Sequence, residues 1–163
     1  MNNIFQNINT LALIALFLFS SNCQMVTSNP TVADGTFIKS TNASGAKLYY
    51  YDHNQFRSRV ATGSKIYHWD GSTIRAVNST GAKLFYFDGQ VLRHRSASGA
   101  KILYFDGNTI RAVNRSGAKL FYIDGATIKA VNSTGAKLFY FEGKLENWAV
   151  IAALLQEELI DHL

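Results

Sequence analysis

The chain has one cysteine and one proline among its 163 residues. A lone cysteine excludes a disulfide framework or a cysteine zinc cage within a single chain. Long hydrophobic runs are also missing. The longest, Leu11 to Phe19, is nine residues, too short to span a bilayer. Twelve glycines are present, and all of them fall at two recurring turn positions described below. At 47% hydrophobic and 13% aromatic the chain is too apolar to be disordered. A formal net charge of +5 favours anionic partners without choosing among lipid, nucleic acid and polyanion.

The run LALIALFLF has the length of a signal-peptide core, although the preceding MNNIFQNINT carries no Lys or Arg. Cys23 follows the run closely. The arrangement resembles a bacterial lipoprotein signal, which implies lipidation of Cys23 and a mature chain starting there. That pattern has Leu three residues before the cysteine and a small residue just before it. Here those positions are Ser20 and Asn22, and ordinary cleavage near Cys23 or Ser28 is the alternative. Residues 1–23 are therefore expected to be an export signal. Residues 24–33, polar and holding Pro30, read as a short tether. About 130 residues remain, enough for one domain with its own core.

From Asp34 the chain repeats every eighteen residues, six times, without insertion or deletion. The units start at Asp34, Asp52, Asp70, Asp88, Asp106 and Asp124, and DGSTIRAVNSTGAKLFYF (70–87) is the best copy. Each unit holds two strand signals and two turn signals. The Asp-Gly pair marks a tight hairpin, with His53 in place of one glycine. The second turn, typified by Asn78-Ser79-Thr80-Gly81, has glycine in all six units. The Asn-x-Ser/Thr triplets at Asn42, Asn78, Asn114 and Asn132 are explained by turn chemistry before glycosylation. The spacing predicts a twelve-stranded antiparallel meander over 34–141, with strands of about five to seven residues.

If the Asp-Gly turn is a three-residue bulged loop, positions five, seven, fifteen and seventeen of each unit share one face. Those positions are apolar or small, as in Ile74, Ala76, Leu84 and Tyr86, and that face is expected to be the interior. The opposite face then combines aromatics such as Phe85 and Phe87 with two cationic series. Position fourteen is Lys47, Lys65, Lys83, Lys101, Lys119 and Lys137; position six is Lys39, Arg57, Arg75, Arg93, Arg111 and Lys129. A two-residue turn shifts this pairing by one.

Twelve strands with two apolar faces do not stay open, and closure into a barrel removes the edges. Such a barrel is too wide for its own side chains to fill. Residues 142–163 offer the filling. After Glu142-Gly143, where a seventh unit begins and breaks off, LENWAVIAALLQEELIDHL lacks Gly and Pro. It is apolar on every side from Trp148 to Leu155, which implies burial all round. The fold expected is all-β with one C-terminal helix: a closed, pseudo-six-fold antiparallel barrel around that helix. An oligomerising helix and a membrane anchor are the alternatives.

Six hairpins of the form G-A-K-L-F-Y-F-D-G-x-T-I-R over 34–141 resemble the repeats of the β-flower proteins, shallow barrels of hairpin petals. Twelve strands followed by an apolar helix are also similar in architecture to the tubby C-terminal and phospholipid-scramblase-like fold. That second likeness implies binding of phosphoinositides or lipid headgroups in some members, with no binding residue transferable by position.

These features point to an exported, membrane-tethered, non-enzymatic domain. Its basic face, Lys47, Lys65, Lys83, Lys101, Lys119 and Lys137 with Arg57, Arg75, Arg93 and Arg111, would meet anionic membrane surfaces or lipids. A carbohydrate-binding or cell-wall-binding repeat module is the alternative, although Trp69 is the only tryptophan in the repeats. A purely structural scaffold is another, with the cations keeping a half-buried face soluble and blocking edge pairing. Nucleic acid fits poorly with export. The histidines at 53, 68, 94 and 162 do not repeat, and the aspartates are turn residues. No acid–base pair, nucleophile triad or metal-ligand spacing stands out, so neither an enzyme nor a cofactor is expected.

Overall fold

The computed structural model describes residues 35–160; the segments expected to be an export signal with Cys23 and a tether lie outside the described residues. Twelve strands run in chain order: β1 (Thr36–Ser40), β2 (Lys47–Asp52), β3 (Gln55–Ser58), β4 (Lys65–Trp69), β5 (Thr73–Ala76), β6 (Lys83–Phe87), β7 (Val91–His94), β8 (Lys101–Asp106), β9 (Thr109–Ala112), β10 (Lys119–Asp124), β11 (Thr127–Ala130) and β12 (Lys137–Phe141). Each pairs antiparallel with its chain neighbours, and β1 pairs with β12, so the sheet is a closed barrel. The strands are four to six residues long, slightly shorter than the spacing predicts. The second turn takes up the difference.

The Asp-Gly hairpin has a two-residue loop. Asp106 pairs with Thr109 and Asp124 with Thr127, leaving Gly107-Asn108 and Gly125-Ala126 between them. That single residue corrects the expected faces. Position eighteen now opposes position five, as Phe87 opposes Leu92, and position sixteen opposes position seven, as Phe85 opposes His94. The interior is therefore lined by positions five, seven, sixteen and eighteen. Positions five and seven were expected there, and so was fifteen, whose residues Leu48, Ile66, Leu84, Ile102, Leu120 and Leu138 are part-buried and packed against the core; seventeen gives way to the larger rings at sixteen and eighteen. All six position-five residues are fully buried, and Phe85, Phe87, Phe105, Phe121, Phe139 and Phe141 are buried beside them. The bulge expected in the Asp-Gly loop lies instead near the second turn. Ile74 opposes Phe85 while Arg75 opposes Lys83, so Leu84 is left over.

The helix α1 spans Asn147–Gln156, ten residues and about 15 Å. Strands of this length at ~3.3 Å per residue make a ring of similar height. Trp148 through Leu155 are all buried and form one cluster with the inner face of the barrel. Trp148 stacks on Trp69 with ring centroids 6.0 Å apart and meets Tyr51 edge-on at 5.6 Å. The expected helix to Leu163 ends early for a local reason. Glu158 takes φ +54, its N–H donates to Leu155 O, and the N–H of Leu159 donates to Leu154 O. This is a Schellman stop with glutamate where glycine is usual. Ile160 turns back and is buried.

The second turn is under two constraints. Position eight has positive φ in every unit: Thr41, Arg59, Val77, Arg95, Val113 and Val131. Position twelve must be glycine because of close approach. A Cβ on Gly81 would sit 1.7 Å from the Ala76 carbonyl oxygen, which is backbone and cannot move aside. The asparagine between them closes an Asx turn, with Asn78 Oδ1 accepting from the N–H of Thr80 at 3.0 Å and its hydroxyl at 2.8 Å.

Two substitutions, one in the second turn and one in the Asp-Gly hairpin, separate close approach from positive φ. Gly81→Ala is expected to destabilise the fold by about 3 kcal/mol. Gly71→Ala, where φ is +95 but a Cβ meets nothing within 4 Å, should cost only ~1 kcal/mol. Urea unfolding of the two variants checks the order, and equal losses would contradict the close-approach account. At the helix end, Glu158→Gly relieves the left-handed residue and should raise stability by roughly 0.5–1 kcal/mol in the same measurement.

Candidate functional site

On the outer face, position seventeen opposes position six, so Tyr86 faces Arg93, Tyr104 faces Arg111 and Tyr122 faces Lys129. The aromatics beside the cations are therefore these tyrosines. The phenylalanines expected there are turned inward against the helix. His68 takes the tyrosine position opposite Arg75 and lies outside rather than in the interior, where the sequence reading placed it.

The two cationic series have different surroundings. Position six is half-buried and held by the aspartate that opens its own unit. Arg75 Nε donates to Asp70 Oδ2 at 2.8 Å, Arg111 Nε to Asp106 Oδ2 at 3.3 Å, and Lys129 Nζ to Asp124 Oδ2 at 2.6 Å. Arg57 and Arg93 stand 3.8 and 4.0 Å from Asp52 and Asp88. Lys39, whose own hairpin partner strand is β12, pairs with Glu142 at 3.0 Å. The arginines also reach the far turn: Arg75 Nη1 donates to Gly81 O at 3.2 Å, and Arg111 Nη1 to Gly117 O at 3.3 Å. Four of the ten proposed surface contacts, Arg57, Arg75, Arg93 and Arg111, are thus engaged in the barrel wall.

The six lysines of position fourteen are different. Lys47, Lys65, Lys83, Lys101, Lys119 and Lys137 are all exposed, and none forms an ion pair among the described residues. Lys47 alone has an aromatic contact, its Nζ lying 3.7 Å from the Phe37 ring centre. They begin the strands that follow the second turn and so ring one end of the barrel. Arg59, Arg95 and Arg115, exposed in the turns themselves, extend the ring to nine cations. The opposite rim carries the carboxylates Asp52, Asp70, Asp88, Asp106, Asp124 and Glu142.

The basic rim also holds the large apolar side chains that are left in solvent among the described residues: Val60, Val77, Val113, Val131 and, at the helix end, Leu159, each 41–50% exposed. Sequence reasoning missed these five. Val77, Val113 and Val131 look like the end of a strand in TIRAV or TIKAV, and only the positive φ at position eight lifts them out of the sheet, while Val60 follows the positive-φ residue Arg59 within its turn. Their clustering could have been found only by tracing the second turn of each unit to one rim.

Several groups titrate away from their usual range. Burial pushes the Tyr51 hydroxyl up to about 12, and that hydroxyl donates to the Lys144 carbonyl. Burial, and then the hydrogen bond to Glu157, raise Tyr49 further. Burial works against the Asp70 carboxylate, but hydrogen bonds from Arg75, Thr73 and Ser72 outweigh it and hold the group below the usual carboxylate range. Asp88 is lowered in the same way, burial being outweighed by the N–H groups of Val91 and Gln90 and the charge of Arg93. Asp124 is lowered by its hydrogen bond from Lys129 and that side chain's charge.

Among the described residues no three His, Cys, Asp or Glu side chains gather where they could hold a metal ion, and no helix is long and apolar enough to cross a membrane. Protein-family models, curated proteins and solved structures yield no match to this chain.

The lowered aspartates set an acid limit. Their folded pKa values lie below the unfolded value of about 3.9, so their stabilisation is whole above roughly pH 5 and is lost as pH falls through the folded values. Urea midpoints measured from neutral to strongly acid pH should fall below about pH 4. The triple variant D70N/D88N/D124N should show a shallower acid decline than the parent; an unchanged decline would contradict this assignment.

Proposed function

We propose that this chain is an exported, membrane-tethered, non-enzymatic module of the β-flower kind that docks on anionic lipid surfaces through its basic rim. The observation that carries this proposal is the coincidence, at one end of the barrel, of nine exposed cations with the five large apolar side chains that are exposed among the described residues. Lysine and arginine among short apolar tips suit a bilayer interface, where the charge meets phosphates and the apolar tips meet the acyl boundary.

Backbone strain adds support. Val77, Val113 and Val131 are β-branched residues at φ +59 to +60, where glycine or asparagine would be relaxed. The left-handed conformation itself serves the wall, since the Val77 N–H donates to Ile66 O and its equivalents do likewise, but a β-branched side chain there costs roughly 1–2 kcal/mol. An exposed apolar tip in contact with a surface offsets it. The export signal and lipidation of Cys23 belong to the same proposal. The chain enters β1 at the acidic rim, and the eleven residues 24–34 can extend over about 40 Å at most. That exceeds the height of the ring, so the tether does not prevent the basic rim from reaching the same membrane.

Sedimentation with vesicles tests this. The mature domain should bind vesicles containing phosphatidylglycerol at low salt and release as salt rises, with no binding to pure phosphatidylcholine. At about 1 kcal/mol per lysine near an anionic surface, K83E/K101E/K119E should lower partitioning by roughly two orders of magnitude. V77S/V113S/V131S should weaken binding at every salt concentration. Absence of binding to anionic vesicles at low salt would leave the scaffold reading in its place.

A further inference from the structure

A repeat built six times is expected to look alike at every position, so a place where several departures meet is informative. One such place lies between the helix and the wall near the basic rim. A cavity of about 270 Å³ is lined by Tyr67, Leu84, Phe85, His94, Arg95 and Leu155. At position seven the other units carry Ser40, Ser58, Ala76, Ala112 and Ala130, and only this unit has histidine. His94 stands edge-on to Phe85, ring centres 6.1 Å apart. Arg95 follows at the left-handed position, exposed, where three other units have valine. Unlike the arginines of position six, Arg95 has no acidic partner among the described residues. Tyr67 on the neighbouring wall is part-buried, which raises its hydroxyl pKa and keeps it a donor.

We infer that this cavity binds a short single-chain amphiphile with one anionic head, a carboxylate on about ten non-hydrogen atoms. Leu84, Phe85 and Leu155 form an apolar bed, and the cationic and donor groups sit together at its mouth. The volume corresponds to roughly nine waters at liquid density, which sets the size of the guest and excludes a long acyl chain. Arg95 supplies the charged hydrogen bonds to the head, His94 closes the side of the mouth, and the Tyr67 hydroxyl is the remaining donor. Symmetric units lack this combination, so one site per barrel is expected. Vesicle docking by the rim is not needed for it.

The probe is octanoate, titrated without lipid and followed by calorimetry and by NMR shifts of the intact mature domain. Octan-1-ol and acetate serve as the head-less and tail-less controls. Octanoate should bind with one-to-one stoichiometry, shift Leu84, Phe85, His94 and Leu155, and bind roughly tenfold or more tightly than either control. R95V and H94A install the residues that the same three units carry, as Ala76-Val77, Ala112-Val113 and Ala130-Val131, so both are compatible with the repeat's own backbone. R95V should weaken octanoate roughly tenfold or more while leaving octan-1-ol unchanged. No octanoate binding at millimolar concentration, equal binding of octan-1-ol, or an unaltered R95V affinity would overturn the proposal. Because no bilayer is present, none of those failures bears on docking by the basic rim.

Discussion

The contact between the apolar helix and the inner face of the ring is the interaction on which the rest of the structure depends. Twelve short strands enclose more space than their inward side chains fill, and an empty lumen that size would forfeit most of the apolar burial. The helix from Asn147 to Gln156 supplies eight consecutive buried residues, with alanine at 149, 152 and 153 where the phenylalanine rings crowd in. The alternation of large wall residues with small helix residues is what close packing of a ring around a rod requires. Removing that rod leaves both faces of the sheet exposed.

Closure is the second requirement, and it is met without a covalent turn. The pairs Ile38 with Phe141, Lys39 with Tyr140 and Ser40 with Phe139 repeat the register of the covalent hairpins. Glu142, the first residue of the broken seventh unit, takes the place of the hairpin aspartate. It pairs with Lys39, and its N–H donates to Phe37 O at 2.9 Å. Five aspartates and one glutamate therefore make equivalent contacts around the ring. The same geometry that holds the wall leaves the position-fourteen lysines unpaired at the other end. Charge separation between the rims follows from the repeat itself, because each unit starts with an acid at one turn and returns with a lysine from the other.

Much of the fold was legible in the residues, and the reasons are local. An eighteen-residue period, glycine at two turns and an invariantly apolar position five specify strands and turns through φ preference and burial, and the twelve-strand closed barrel follows from them. The apolar helix was legible for the same reason, since no surface face can be drawn on Trp148–Leu155. Its length was not. Glu158 at positive φ stops it, and no propensity marks glutamate as a helix stop. The lysine series was legible as a set; its separation from the arginine series was not, because Asp70 and Arg75 look alike in every copy until the hairpin register brings them together.

Sequence by itself determined the number of strands, their order, the closed ring and its plug, because each rests on periodic signals within one unit or on a segment apolar all round. Tertiary structure alone decided which rings face inward, which cations are free, and where the cavity lies. A strand's side chains alternate with period two, so a loop of two residues instead of three exchanges the two faces of half the sheet. No composition or repeat length distinguishes those loops. Only the paired backbone does.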